Sequence, residues 1–371
     1  MIRLDKVTKV YPDGTEAVKE MSFAVGKGEL CVLLGPSGCG KTTTMKMINL
    51  LIPITGGNIY IDGMDNTKMD ENELRRNIGY AIQQIGLFPN MTVGQNIETV
   101  PELKGWPKAK RSRRAEQLLE LVGMDSSEFI NKYPSELSGG QCQRVGVARA
   151  LGADPPILLM DEPFGAIDPI TRVRLQEEFL KIQQEIKKTI IFVTHDIYEA
   201  IKMSDKIALM KQGRLVQYDT PTNLLYRPKN EFVEDFVGAD RALKGLQLIR
   251  VKEVMNSSPP KVKSDEKVKA ARKRMEREEI DWLVVVNDDG KFLGWVDQAD
   301  LGRGDSVRGT MNPSAVTATV NTVLNEALSL MLSHGLKNLA IVNKDNRLQG
   351  VLGFDIIRKA LAEVTRGRQS E

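Results

Sequence analysis

The segment Gly35-Pro-Ser-Gly-Cys-Gly-Lys-Thr42 constrains this chain more than any other stretch. It follows the apolar run Leu30-Cys-Val-Leu-Leu34 and opens a helix-forming segment, Thr42 to Asn49. A strand that passes through a glycine-rich turn into a helix aims several backbone N–H groups at one point, which cradles a phosphate chain. Gly35, Gly38 and Gly40 admit the turn, and Pro36, Ser37 and Cys39 complete the loop. Lys41 is placed to reach the β and γ oxygens, Thr42 offers a hydroxyl to Mg²⁺, and Thr43 sits in the first helical turn beside them. Such a loop needs a sheet whose strands end at a common edge. Residues 1 to about 240 have the matching pattern: short apolar runs alternate with longer amphipathic stretches, as in an α/β domain with a largely parallel sheet.

Two further segments fit that edge. Ile157-Leu-Leu-Met160 ends in Asp161-Glu162, so a buried strand delivers two carboxylates at its carboxyl end. Asp161 is the candidate for the Mg²⁺ shell and Glu162 for polarising an attacking water. Leu137-Ser138-Gly139-Gly140-Gln141 leads directly into the apolar-periodic Arg144 to Leu151, and its glycines let backbone amides approach an anion at a helix start.

Composition excludes several classes. Lys plus Arg (52) against Asp plus Glu (49) leaves a net charge of +3, too small to argue for nucleic-acid binding. No apolar run approaches the ~18 residues of a membrane span; Ile157 to Met160, Ile190 to Val193 and Trp282 to Val286 have the length of buried strands. The start, Met-Ile-Arg-Leu-Asp, carries no apolar leader, so a cytosolic location is expected. Three cysteines (Cys31, Cys39, Cys142) and two histidines (His195, His334) give neither a disulfide framework nor a histidine-rich metal site.

From Val251 onward the chain repeats itself with an offset of 56 residues, carrying Met255 onto Met311, Ala271 onto Ala327, Asn287 onto Asn343 and Gly294 onto Gly350. Each unit reads as a lead-in, an amphipathic helix, two strands around a turn, and a closing helix. The turns Asn287-Asp-Asp-Gly290 and Asn343-Lys-Asp-Asn346 hold residues that tolerate positive φ. The expected organisation is residues 1–240 as one domain, 241–250 as a helical linker, 251–306 and 307–365 as two βαββα units, and 366–371 as a tail.

In this order, the phosphate loop, Leu-Ser-Gly-Gly-Gln, Asp-Glu and Thr194-His195-Asp196 resemble an ABC transporter nucleotide-binding subunit over residues 1 to 240. The resemblance implies a P-loop NTPase fold with a RecA-like core and a helical subdomain, and an ATPase that uses ATP and Mg²⁺. It further implies that Gln83 senses Mg²⁺ and the membrane partner, and that Asp168 lies in the loop that communicates across a dimer. His195 matches the histidine contacting the γ-phosphate, and Tyr11 the aromatic ring stacking on adenine. Leu137 to Gln141 would close the far face of ATP held by a second copy, so the working unit is a homodimer. Integral-membrane permease chains would dock near Leu87 to Val93, with an extracytoplasmic binding protein reached through them and the chain held at the cytoplasmic face of the membrane. Cys142 and Ile167 depart conservatively from the family pattern, which more often has Gln and Leu there.

The paired units resemble a tandem CBS pair, and the combination is similar to the energising subunits of osmoprotectant importers for glycine betaine, choline, carnitine and related quaternary ammonium compounds. Two readings of the pair stand side by side. One is a small regulatory nucleotide (cyclic di-AMP, AMP or ATP), although Asp297 occupies the position where the family's ribose pattern has a hydroxyl. The other is ionic-strength sensing through a basic face that includes Lys261, Lys263, Lys267, Lys269, Arg272, Lys273 and Arg274. Against the importer stand another small-solute importer, a soluble ABC protein acting on translation or DNA, and an exporter subunit. The last two usually carry twin cassettes or fused membrane helices, which this sequence lacks.

Overall fold

The computed structural model describes residues 1–82, 86–165, 167–301 and 305–366, with the backbone alone at 169, 170, 185 and 363–366. The chain divides into two compact units, Met1–Val237 and Gly238–Glu371.

Among the described residues the first unit contains ten strands: β1 (Ile2–Val10), β2 (Glu16–Val25), β3 (Leu30–Leu34), β4 (Gly56–Ile61), β5 (Met64–Asp65), β6 (Ile78–Ala81), β7 (Ile157–Asp161), β8 (Thr189–Thr194), β9 (Lys206–Lys211) and β10 (Arg214–Asp219). Six form one sheet in the order β10-β9-β3-β8-β7-β6, parallel except for the β10 edge. Every residue of β3, β7 and β8 is buried, because helices and a second sheet cover both faces. That second sheet, β2-β1-β4-β5, is antiparallel and stands beside the expected largely parallel one. Its strands alternate buried and exposed residues, for example Ile2 and Leu4 inward and Arg3 outward, and the buried face meets Met45, Met47 and Ile48 of the helix Lys41–Ile48.

Parallel register aligns the functional ends. Leu34 pairs with Thr194 and Asp161 with Val193, so the phosphate loop, the two carboxylates and His195 leave the sheet at one edge. Three helices, Val93–Leu103, Lys108–Leu121 and Gly139–Leu151, pack on one another as a helical subdomain.

The second unit realises the repeat. β11 (Lys261–Lys263), β12 (Trp282–Val286), β13 (Phe292–Asp297) and β14 (Asn312–Pro313) form one sheet; β15 (Thr317–Ala318), β16 (Asn338–Val342) and β17 (Leu348–Gly353) form the other. Registers correspond at the sequence offset: Trp282 faces Asp297 as Asn338 faces Gly353, and each pair has its irregularity at the same step. Gly290 and Asn346 adopt the positive φ that the turns require. Val284, Phe292 and Trp295 from one repeat share an apolar cluster with Ala340, Val342 and Val351 from the other, so neither sheet could bury this face alone.

Two expectations change. The segment 241–250 is not a linker: it forms the helix Arg241–Gly245 and inserts Leu246, fully buried, beside Leu324, Leu339 and Ile357 in the core of the second repeat. The first repeat also shows no closing helix among its described residues, since 298–301 run in turns, whereas the second closes with Phe354–Arg366. The expected tail lies outside the described residues beyond Arg366. Among the described residues, no helix is long and apolar enough to cross a membrane.

Candidate nucleotide site

The three loop glycines do different work. Gly35 (φ 149°) and Gly40 (φ 100°) lie so close to neighbouring backbone that a Cβ would come within 2.3 Å of the Met210 and Ala17 carbonyl oxygens, respectively. Gly38 also needs its left-handed φ of 75°, yet a Cβ there would meet nothing within 4 Å, so its outer surface is open. Lys41 is buried, and its ammonium donates to the Gly35 carbonyl at 2.7 Å and the Pro36 carbonyl at 2.9 Å, which pins a positive charge to the loop. The Cys39 Sγ lies 3.8 Å from the same ammonium, and burial pushes its thiol above the ordinary range. The helix Lys41–Ile48 carries no acidic residue in its first turn, where Thr42 and Thr43 are half-buried, so its N-terminal field favours an anion.

The carboxylates sit beside this loop. The Thr42 hydroxyl donates to Asp161 Oδ1 at 3.1 Å. Asp161 is 3% exposed, and burial raises its carboxyl above the usual range, with the Glu162 charge adding to the rise and the Thr42 hydrogen bond opposing it. Tyr80 is pushed up to about 12, first by burial and then by the Asp161 charge. These are hard oxygen donors of the type that Mg²⁺ prefers. Glu162 adopts a left-handed backbone (φ 45°) that a non-glycine residue holds only when fixed by its surroundings. Its N–H donates to the Val193 carbonyl at 3.0 Å, and its own carbonyl accepts from Gly165 N–H at 3.1 Å and Gln143 Nε2 at 3.1 Å. The side chain places Oε1 3.0 Å from His195 Nδ1, and the His195 ring is largely exposed.

The remaining candidates are more scattered. Ser138 caps the helix Gly139–Leu151: its hydroxyl accepts from Gln141 N–H at 3.3 Å and its own N–H donates to Gln141 Oε1 at 2.8 Å. Leu137, half-buried, precedes the cap. A Cβ on Gly139 would meet nothing within 4 Å, and on Gly140 only Ile167 Cγ1 at 4.0 Å. Among the described residues, no hydrogen bond links this segment to the phosphate loop of the same chain. Asp168 caps the helix Pro169–Ile186, accepting from Thr171 N–H at 3.0 Å. Tyr11 is half-buried at a turn, with the Lys9 ammonium 5.2 Å from its ring centre. Gln83 lies outside the described residues.

Sequence reading missed two buried side chains behind these groups. Gln143 runs from the helix that Ser138 caps to the Glu162 carbonyl, and a polar residue between buried Cys142 and Val145 was the available signal. Glu199, 8% exposed, accepts from Thr194 Oγ1 at 2.6 Å and from Gln176 Nε2 at 3.0 Å; burial pushes its carboxyl up. It breaks an otherwise apolar buried face of the short helix Ile197–Met203. In the second unit, burial raises the Asp297 carboxyl, with Asp300 and Asp281 adding to the rise and Lys337 opposing it. The basic face there is partly neutralised, Lys263 pairing with Asp288 and both Arg274 and Arg277 with Glu278.

Comparison with known proteins gives concordant matches. The ABC transporter family profile matches residues 18–165, and the CBS domain profile matches residues 251–303 and 306–363. The chain is 46% identical over 95% of its length to the choline transport ATP-binding protein OpuBA of Bacillus subtilis (strain 168), covering 94% of that protein. It is 47% identical, with the same two coverages, to the glycine betaine/carnitine/choline transport ATP-binding protein OpuCA of the same organism. With the osmoprotectant import ATP-binding protein OsmV of Salmonella typhimurium it shares 45% identity over 98% of this chain and 96% of that one. A dimeric structure of an ATP-binding cassette in a post-hydrolysis state, bound to ADP and Pi, superposes with a TM-score of 0.56 at 35% identity, covering 60% of this chain and 99% of its own.

Proposed function

The chain belongs to the ATP-binding subunits of ABC transporters, with a C-terminal pair of CBS domains, and from that premise we propose that it hydrolyses ATP to drive import of quaternary ammonium osmoprotectants such as glycine betaine, carnitine or choline. The substrate class rests on relatives whose names specify those solutes. The observation that carries the hydrolytic reading is the Glu162–His195 pair at 3.0 Å beside the Thr42–Asp161 pair at 3.1 Å, on the sheet edge where the phosphate loop opens.

The roles follow from the geometry. The loop N–H groups and the Lys41 ammonium hold the β- and γ-phosphates against the open surface of Gly38. Thr42 and Asp161 would hold Mg²⁺, which when bound neutralises charge on the phosphate oxygens. Glu162 accepts a proton from water at Oε1, and its clamped backbone fixes where that oxygen points. His195 orients the Glu162 carboxylate through Nδ1 and keeps its exposed edge for the γ-phosphate. Tyr11 supplies a ring for the adenine, Gln83 reports to the permease, and the Asp168 turn reports to the partner subunit.

A single chain closes only one side of the nucleotide. Gly38, Gly139 and Gly140 would each accept a Cβ without a close contact in this chain, so the space they keep free serves something outside it. A second copy presenting Leu137 to Gln141 across the bound ATP meets that need. The homodimer then works on the cytoplasmic face of the membrane against integral permease subunits, which receive solute from an extracytoplasmic binding protein. The CBS pair regulates turnover, and the acidic group at Asp297 disfavours a phosphate at that edge of the pair.

The test uses Glu162→Gln in the full chain. ATP binding is retained, an ATP-bound dimer accumulates, and turnover falls by about 10²–10⁴-fold. Turnover close to that of the unsubstituted chain would remove Glu162 from its role. Uptake of labelled glycine betaine, choline and carnitine into vesicles carrying the chain with its permease tests the substrate class; transport of none of the three would overturn it.

A further inference from the structure

We propose that Glu199 is a positioning residue for hydrolysis: its buried carboxylate ties the turn that bears His195 to the helix that begins at Asp168. The proposal rests on the reading of His195 given above. Thr194 and Asp196 flank His195; Thr194 bonds the Glu199 carboxylate directly, and Asp196 is tied to it through the Thr194 hydroxyl. The Thr194 hydroxyl donates to Glu199 Oε2 at 2.6 Å, a short charge-assisted bond, and Thr194 Oγ1 in turn accepts from Asp196 N–H at 3.0 Å. The other carboxylate oxygen accepts from Gln176 Nε2 at 3.0 Å, two turns into the helix Pro169–Ile186. Thr194, Gln176 and Glu199 are all buried, whereas His195 stands largely exposed with its Nδ1 on Glu162. An exposed ring on a short turn has several rotamers open to it, and pinning the residue on each side removes the backbone part of that freedom.

The link extends to the loop after Glu162. Arg172, on the same helix as Gln176, donates to the Ile167 carbonyl at 3.0 Å, and its charge favours the ionised form of Glu199, against which Asp196 acts. One carboxylate therefore faces the His195 turn on one side and the helix holding the Asp168 turn on the other. Fold alone does not call for it. A leucine at this position of the helix Ile197–Met203 would be buried at less cost than a carboxylate, which must be desolvated and doubly hydrogen-bonded.

The experiment measures steady-state ATP hydrolysis by the full-length chain with Glu199→Leu, Glu199→Gln, Gln176→Met, His195→Ala, and Glu199→Leu combined with His195→Ala. Glu199→Leu should lower kcat by roughly 10–100-fold while leaving KM for ATP within about threefold. Glu199→Gln should keep most of the turnover, because its amide oxygen accepts from Thr194 and a rotated Gln176 amide takes its N–H. In the His195→Ala background, Glu199→Leu should cost nothing further, since a group that acts through His195 has nothing left to position. A normal kcat in Glu199→Leu, or the same fold-loss with and without His195, would overturn the proposal. Should Glu199→Leu fail to fold, Gln176→Met decides: a several-fold fall in kcat at unchanged KM supports the link, and full turnover refutes it. Wild-type turnover in His195→Ala would instead defeat the reading of His195 itself.

Discussion

Gly139→Ala separates what the signature glycines do for the fold from what they do for the nucleotide. Gly139 is exposed in the first turn of a helix that runs to Leu151, and it has no positive φ. A methyl group built there meets nothing within 4 Å. The folded chain therefore loses nothing, while alanine restricts the unfolded chain and favours the helix by about 0.5–1 kcal/mol. For a unit of this size, ~1 kcal/mol moves Tm by about 2–4 °C, so the nucleotide-free protein should melt about 1–4 °C higher. The same methyl would occupy the surface offered to ATP bound by the partner, and losing that approach should cut turnover by about 10²-fold or more. Scanning calorimetry without nucleotide gives the first quantity. Steady-state ATP hydrolysis gives the second, and sedimentation with ATP in the Glu162→Gln background shows the accompanying loss of the ATP-dependent dimer. A Tm lowered by several degrees would show that the fold needs the glycine; a lowered Tm or unchanged turnover refutes the reasoning.

Other substitutions probe other parts. Lys41→Ala removes an ammonium that donates to two loop carbonyls, so ATP binding should vanish by equilibrium dialysis while the empty protein loses about 1–3 kcal/mol in urea unfolding. Glu199→Gln gives a signed pH test. Burial holds the Glu199 carboxyl above its ordinary range, so the folded chain keeps that proton to higher pH than the unfolded chain does. Stability linked to the protonated form is fully present below the unfolded value and is lost as pH rises through the folded one. The Tm of Glu199→Gln minus that of the unsubstituted chain should therefore grow as pH rises above the ordinary glutamate range of about 4.3, and a difference that shrinks would contradict the sign. Trp295→Ala empties the apolar cluster shared by the two repeats and should destabilise the second unit by about 3–5 kcal/mol in denaturant titrations followed by circular dichroism.

The motifs were legible because their chemistry is local. Gly35 to Thr42, Ser138 to Gln141 and Asp161-Glu162 each work through neighbours within a few residues, so spacing alone carried the phosphate cradle, the cap and the paired carboxylates. The repeat was legible for a related reason: an offset of 56 residues imposes the same strand registers twice, down to the matched irregularities. What the linear chain hid lay in contacts between distant segments. Thr42 and Asp161, 119 residues apart, meet because β3 and β7 flank β8 in parallel register. The antiparallel second sheet was missed because alternation along β1 and β2 reveals a half-buried strand but not its partners. Residues 241–250 read as a linker because the apolar cluster that takes up Leu246 is built largely from distant residues such as Leu324, Leu339 and Ile357. Gln143 and Glu199 look like ordinary helical polar residues until packing removes their water. Sequence determined which groups carry the chemistry, since that is a matter of residue type and short-range spacing. Tertiary structure decided which buried side chains hold them, since a hydrogen bond gains its weight from the desolvation that only long-range packing provides.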